Sequence, residues 1–269
     1  MTVFEFTTGL GSSTPNIEIR RIGIADLRAA LRDGMKDFMV LRGELLFLGL
    51  IYMAVGVIAS ALILRNELAP LVFPLAASLT LMGPAVASGF YELSRRRELG
   101  LETSWWHFFD IFRGPRVAAL TILTAVLAAM VVAWMAFAWL IYSATMGGAL
   151  VTSIGDFLRQ LFTTPRGWTL IVVGNLTGLA FAVVALVISV VSFPMLVDRP
   201  VGPVTAIETS VRAVARNPGT MAAWGLIVVA LLFLGSLPLF AGLAVVLPVL
   251  GYASWRLYGR VVGPDRPAP

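Results

Sequence analysis

"VAALTILTAVLAAMVVAWMAFAWLIY", residues 117–142, runs its whole length without a charged residue. A hydrocarbon core about 30 Å thick is crossed by about 20 apolar residues in helical form. No water is present there to bond backbone groups, so the segment must satisfy its own amides as a helix. Residues 45–64, 68–90 and 168–197 have the same character. The stretch 220–255 is too long for one crossing and carries Gly235, Ser236 and Pro238 near its middle. It divides into spans at 219–236 and 238–256, with one kinked and tilted helix as the alternative. The sequence therefore predicts an all-α, polytopic membrane helical bundle of six transmembrane helices.

Composition supports that reading. Of 269 residues, 58% are hydrophobic and 13% charged, against roughly 25% charged in a soluble domain. Too little polar surface remains to cover a globule in water. Cysteine is absent, which removes disulfides, thiolate metal sites and thiol chemistry and leaves the compartment open. Residues 1–23 contain no basic segment leading directly into an apolar one, so they read as a soluble tail rather than a cleaved signal. Flexible tails are expected over 1–22 and 261–269, around a membrane domain at 23–260.

Orientation follows from the arginines and lysine. With six spans, 17 basic residues fall on one side and three, Arg65, Arg159 and Arg166, on the other. That bias puts both termini in the cytoplasm and favours an even number of spans. The net charge of +5 is accounted for by attraction to anionic lipid head groups, with no nucleic acid required.

The segments preceding spans one, three and five resemble one another. Ile24, Leu27, Leu31, Met35 and Phe38 share a helical face, with Asp26, Asp33, Lys36 and Asp37 off it. Trp105, Phe108, Phe109 and Phe112 form a second stripe, and Val204, Ile207, Val211 and Val214 a third. Breakers end each one: Arg42-Gly43, Arg113-Gly114-Pro115 and Arg216-Asn217-Pro218. The pattern reads as three copies of interfacial helix, span, span, a pseudo-threefold repeat. A further amphipathic helix, "SIGDFLRQLF" at 153–162, is expected flat on the outer leaflet.

Chemistry is sparse. No ionisable residue lies deep in an expected span, where such groups mark function; Glu44 and Glu92 sit at ends. One histidine, His107, cannot supply the ligands of a haem centre. His107 and Asp110 share a face but lack a nucleophile and an evident pocket. No catalytic residue, metal or cofactor is therefore expected. Within span four, Gly174 and Gly178 flank Asn175 as a small-xxx-small pair, predicting a close helix contact with the amide bonded across it. Pro74, Pro84 and Pro194 are expected to kink their spans.

The densest basic cluster is "YELSRRRELGLETSWWHFFDIF", residues 91–112. It reads as span two continuing beyond the membrane, with Arg95, Arg96 and Arg97 at the negative helix end and Gly100 as terminator. Ser104 would cap an interfacial helix sending Trp105, Phe108 and Phe112 into the head-group boundary. Arg95, Arg96, Arg97, Arg113 and Arg116 are the expected lipid head-group contacts.

"GPAVASGFYELSRRRELG" (83–100), "SFPMLVDRPV" with "TAIETSVRAVARNPGTMAAWG" (192–225) and "IADLRAALRDGMKDF" (24–38) resemble a bacterial family of predicted integral membrane proteins, domain of unknown function family 2189. The resemblance covers roughly 20–260. It implies a bacterial inner-membrane protein and supplies no catalytic residue. Some members carry the label cytochrome c oxidase subunit I, which the missing histidine ligands contradict. The functional expectation is a non-enzymatic interaction, assembly or envelope-organisation factor, with a membrane-protein partner or a second copy besides anionic lipid. The alternative is a transporter or channel for a small neutral or lipophilic solute.

Overall fold

A computed structural model describes residues 17–40, 81–147, 154–237 and 242–263. The expected spans at 45–64 and over most of 68–90, the Arg42-Gly43 breaker, and Pro74 lie outside those residues. The described chain is helical except for turns and one isolated antiparallel bridge, Ile19 to Val262. Its helices are α1 (24–40), α2 (Gly83–Glu98), a 3₁₀ helix (Trp105–Phe112) and α3 (Arg116–Met146). Then follow α4 (Ile154–Thr163), α5 (Pro165–Ser189), α6 (Ser192–Asp198), α7 (Pro203–Arg216), α8 (Pro218–Ser236) and α9 (Leu243–Val261).

Three stretches among the described residues are long and apolar enough to cross a membrane. They are Arg116–Met146, Pro165–Asp198 and Pro218–Ser236, with mean hydropathies of 2.4, 2.6 and 1.9. The first and third coincide with expected spans. The second breaks at residues 190–191. Pro194 has no N–H and its ring crowds the carbonyl four residues back, at Val190. The region 219–256 is two helices, not one. A Cβ on Gly242 would lie 2.8 Å from Gly235 Cα, so glycine on both sides permits their approach. The helix expected at 238–256 occupies Leu243–Val261 instead. It is not among the three spanning stretches, because its last turns carry Arg256 and Arg260.

The described residues sort into two compact units. One comprises 81–83, 125–147 and 154–185. In it Trp134 of α3 is buried against Gly178 and Phe181 of α5, the rings 5.7 Å apart. Other large apolar side chains, such as Val132, Leu140 and Leu176, are exposed. Such exposure carries no penalty where the solvent is lipid. The amphipathic α4 turns Phe157 towards Tyr142, with rings 6.5 Å apart, and leaves Leu158 and Phe162 exposed.

The other unit comprises 17–40, 84–124, 186–237 and 242–263. Its helices dock through small residues. A Cβ on Gly34 of α1 would lie 2.6 Å from the backbone nitrogen of Ala253 in α9. A Cβ on Gly251 of α9 would lie 2.8 Å from Phe90 Cβ in α2. Gly89 of α2 admits the ring of Phe108 from the 3₁₀ helix. On α6, Ser192 Oγ donates to Ala206 O of α7 at 3.0 Å. Ser210 Oγ of α7 donates to Val187 O at 2.7 Å and accepts from Val191 N–H at 3.2 Å.

These contacts show which residues dock and which part of each apolar stripe is left outside. In α7 the buried positions are Thr205, Ala206, Thr209, Ser210 and Ala213, whereas Val204 and Val211 are exposed. In α1 the buried line is Leu27, Ala30, Gly34 and Asp37, whereas Ile24 and Met35 are exposed. Close backbone approach selects small residues for the inside, and the apolar stripe is left for the surroundings.

Residues 17–22 are fastened: Arg20 N–H donates to Val261 O at 2.8 Å, and Ile17 and Ile19 are buried. Asn217 was expected only as part of a breaker. Its Oδ1 accepts from Ile22 N–H at 2.9 Å, and its Nδ2 donates to Arg20 O at 3.0 Å. Replacing Asn217 with alanine strands buried backbone groups, a loss of about 2 kcal/mol. Hydrogen exchange is expected to show faster turnover at the Ile22 amide in that variant.

Candidate functional site

The arginine-rich segment is built on the end of α2. Gly100 takes a φ of +65°, a left-handed conformation that costs glycine no steric penalty. Leu101 N–H then donates to Arg96 O at 2.9 Å and Gly100 N–H to Arg97 O at 3.1 Å. That pair is a Schellman ending, as the position of Gly100 predicts. Ser104 begins the next helix, which is 3₁₀ rather than α. Its backbone N–H donates to Nδ1 of His107 at 3.0 Å. The chain's one histidine thus closes a helix start, and neutral His107 keeps its proton on Nε2.

The four aromatics expected to form one stripe, Trp105, Phe108, Phe109 and Phe112, do not share one face. Phe108 is buried among Phe90, Leu93 and Tyr252, its ring 5.1 Å from Phe90. Trp106 and Phe112 are 64% and 66% exposed, and Phe109 is partly so. Three residues per turn place positions 106, 109 and 112 in register, whereas a helix of 3.6 residues per turn groups them otherwise. The expectation of Phe108 in the head-group boundary is corrected accordingly.

The five arginines separate by partner. Arg95 holds Glu92 through two bonds of 2.7 and 2.8 Å. This carboxylate raises the Arg95 pKa, with burial opposing it. Arg116 reaches the same carboxylate at 3.5 Å. Arg97 holds Asp37 of α1 at 2.6 Å. Asp37 also receives Arg256 of α9 at 2.8 and 3.1 Å. Arg96 donates to Glu102 O at 3.0 Å and to Asp110 at 3.3 Å. Arg113 lies 3.7 Å from Asp110, with its side chain 84% exposed. Beside these pairs, Arg260 of α9 binds Asp33 at 3.1 Å. Burial pushes Asp33 up, but that bond and the charges of Arg32, Lys36 and Arg260 hold it below its ordinary value.

Glu92, Asp37 and Asp110 are the residues that sequence reading missed as partners. Glu92 three residues before Arg95, and Asp110 three before Arg113, carry a local signal. Asp37 does not, because its partners lie far off in the sequence.

In α5 the expected polar contact is rearranged. Asn175 Nδ2 donates to Ile171 O of its own helix at 2.7 Å, and Asn175 is exposed. Gly178 faces Trp134, at 3.2 Å from a built Cβ, whereas Gly174 has open space. Among the described residues the small-residue contact therefore involves Gly178 and not Gly174. Among the described residues no group of three His, Asp or Glu is placed to hold a metal ion.

The arrangement can do two things chemically: tie helices together through neutralised charge, and present one arginine-lined aromatic cleft to the outside. Lining that cleft are Arg96, Trp106, His107, Phe109, Asp110 and Arg113. Neither the curated proteins nor the solved structures include a match to this chain. Residues 72–198, which include the whole arginine cluster and the helices α2 to α6, match the family model described as predicted integral membrane protein, DUF2189. Over that segment, just under half of the chain, the protein is similar to the DUF2189 family of predicted integral membrane proteins.

Proposed function

We propose that the chain is a six-span protein of the bacterial cytoplasmic membrane, with both termini in the cytoplasm. It acts by interaction, as an assembly or envelope-organisation factor, and not as an enzyme. One observation carries the reading: the cyclic order of docking in the larger unit. Each helix that precedes an expected hairpin packs on the helix that ends the one before it. The 3₁₀ helix packs on α2, α7 on α6, and α1 on α9. Such closure is what three helix-plus-hairpin repeats around an axis would produce. Buried charge in the ring is spent on docking, since Asp37 joins α1 to α2 and α9. A closed, neutralised platform of this kind is suited to offering its outer face to a partner.

Purification of the full chain in mild detergent tests this reading. A stoichiometric membrane-protein partner or a defined homo-oligomer is the expected result. A monodisperse monomer that takes up a small neutral solute in liposomes would overturn it in favour of a transporter. A Soret band in the absorption spectrum would overturn it in favour of a haem protein.

A further inference from the structure

Arg96, Trp106, His107, Phe109, Asp110 and Arg113 line an open cleft of about 730 Å³. We infer that this cleft binds the phosphodiester head group of an anionic phospholipid, an assignment that rests on α3 crossing the membrane as proposed above. The partners of the five arginines decide which of them belong to the site. Arg95 and Arg116 point to Glu92, and Arg97 to Asp37. Arg96 and Arg113 are the two that line the cleft.

Arg113 is loosely held, by a long contact at a highly exposed side chain. Asp110 lies between the two guanidinium groups, 3.3 Å from one and 3.7 Å from the other. It spaces them as a fork for an anion with several oxygens. His107 is fixed through Nδ1 and lines the cleft with its Nε2–H free to donate. Two arginines against one aspartate leave a formal charge of +1. That value suits the single charge of a phosphodiester better than the double charge of free phosphate.

Placement points the same way. Arg116 opens α3, the apolar helix of 31 residues, so the cleft lies within one turn of chain from the start of a span. Trp106 and Phe112 stand exposed beside it, as aromatic side chains do at the membrane–water interface. A site for a soluble phosphate would not need those rings.

The test uses the full chain in mild detergent, offered phosphatidylglycerol, phosphatidylcholine or inorganic phosphate, with bound molecules counted by native mass spectrometry. The protein is expected to retain phosphatidylglycerol over phosphatidylcholine. Arg113→Gln is expected to weaken that retention about fivefold. Asp110→Asn removes the competing carboxylate and is expected to strengthen it. Arg97→Gln, which alters a neighbouring arginine outside the cleft, is expected to leave the preference unchanged. Equal retention of the two lipids overturns the inference, as does an Arg113→Gln protein with its preference intact. Weaker binding in Asp110→Asn, or displacement of the lipid by equimolar inorganic phosphate, also overturns it. Lost lipid preference in a protein that keeps its stoichiometric partner refutes this site alone, and the interaction reading stands or falls separately.

Discussion

Replacing Asp37 with alanine is expected to destabilise the protein by about 3 kcal/mol, measured as SDS-driven unfolding in mixed micelles. Asp37 is 3% exposed and receives Arg97 and Arg256 at bonding distance. Removing one member of a buried ion pair costs about 3–5 kcal/mol, because the remaining charge is left uncompensated. The side chains of Arg97 and Arg256 are 36% and 27% exposed, so water relieves part of that penalty and the lower end applies. Asp37→Asn should lose nearly as much, since the amide keeps the shape but not the charge. Replacing Asp37 with leucine and Arg256 with methionine together should recover part of the loss, as apolar substitutes for buried pairs do. A wild-type stability for Asp37→Ala would mean that α1 is not held by this carboxylate.

The second large effect is expected at Gly34, where alanine should cost about 3 kcal/mol, near the top of the range for overpacking. The new methyl would meet Ala253 N at 2.6 Å and Ala253 Cα at 2.8 Å. Both are backbone atoms, so no side-chain rotation relieves the clash and α1 must separate from α9. Shortening the neighbour with Ala253→Gly removes only its Cβ and should not rescue the variant. Gly174→Ala provides the contrast. Among the described residues nothing lies within 4 Å of a Cβ built there, and alanine should be neutral or stabilising by up to about 1 kcal/mol through helix propensity. A Gly34→Ala protein as stable as Gly174→Ala would show that the two helices do not approach as closely as described.

Much of the fold is legible in the sequence where a local rule operates. Span-length apolar runs at 117–142 and 219–236, the turn at Gly100, the break at Pro194 and the helix start at Pro218 all depend on a few consecutive residues. What was not legible depends on the solvent. Sequence periodicity finds the apolar stripes of α1 and α7 as faces of interfacial helices, but does not say which residues dock against neighbouring helices. Here Val204, Val211, Ile24 and Met35 face outward, and glycine, alanine, serine and threonine face inward because they let backbones meet. A second limit is range. Asp37 and Arg256 stand 219 positions apart in the chain, and Asn217 fastens Ile22 across 195. Spacing alone cannot pair them. The same limit governs the candidate site. The five arginines look equivalent as sequence, and only their partners separate three structural cations from the two that line an open cleft.

The topology behind the proposed function is tested most directly by single-cysteine labelling, which the absence of native cysteine makes straightforward. Cysteines placed singly at Arg28, Glu102, Gln160, Glu208 and Gly259 would be challenged in intact cells with a membrane-impermeant maleimide. Six spans with both termini inside predict labelling at position 160 alone, with the other four reacting only after permeabilisation. Labelling of position 259 from outside would contradict the account, because it would place the C-terminal helix and its paired arginines across the membrane from α1.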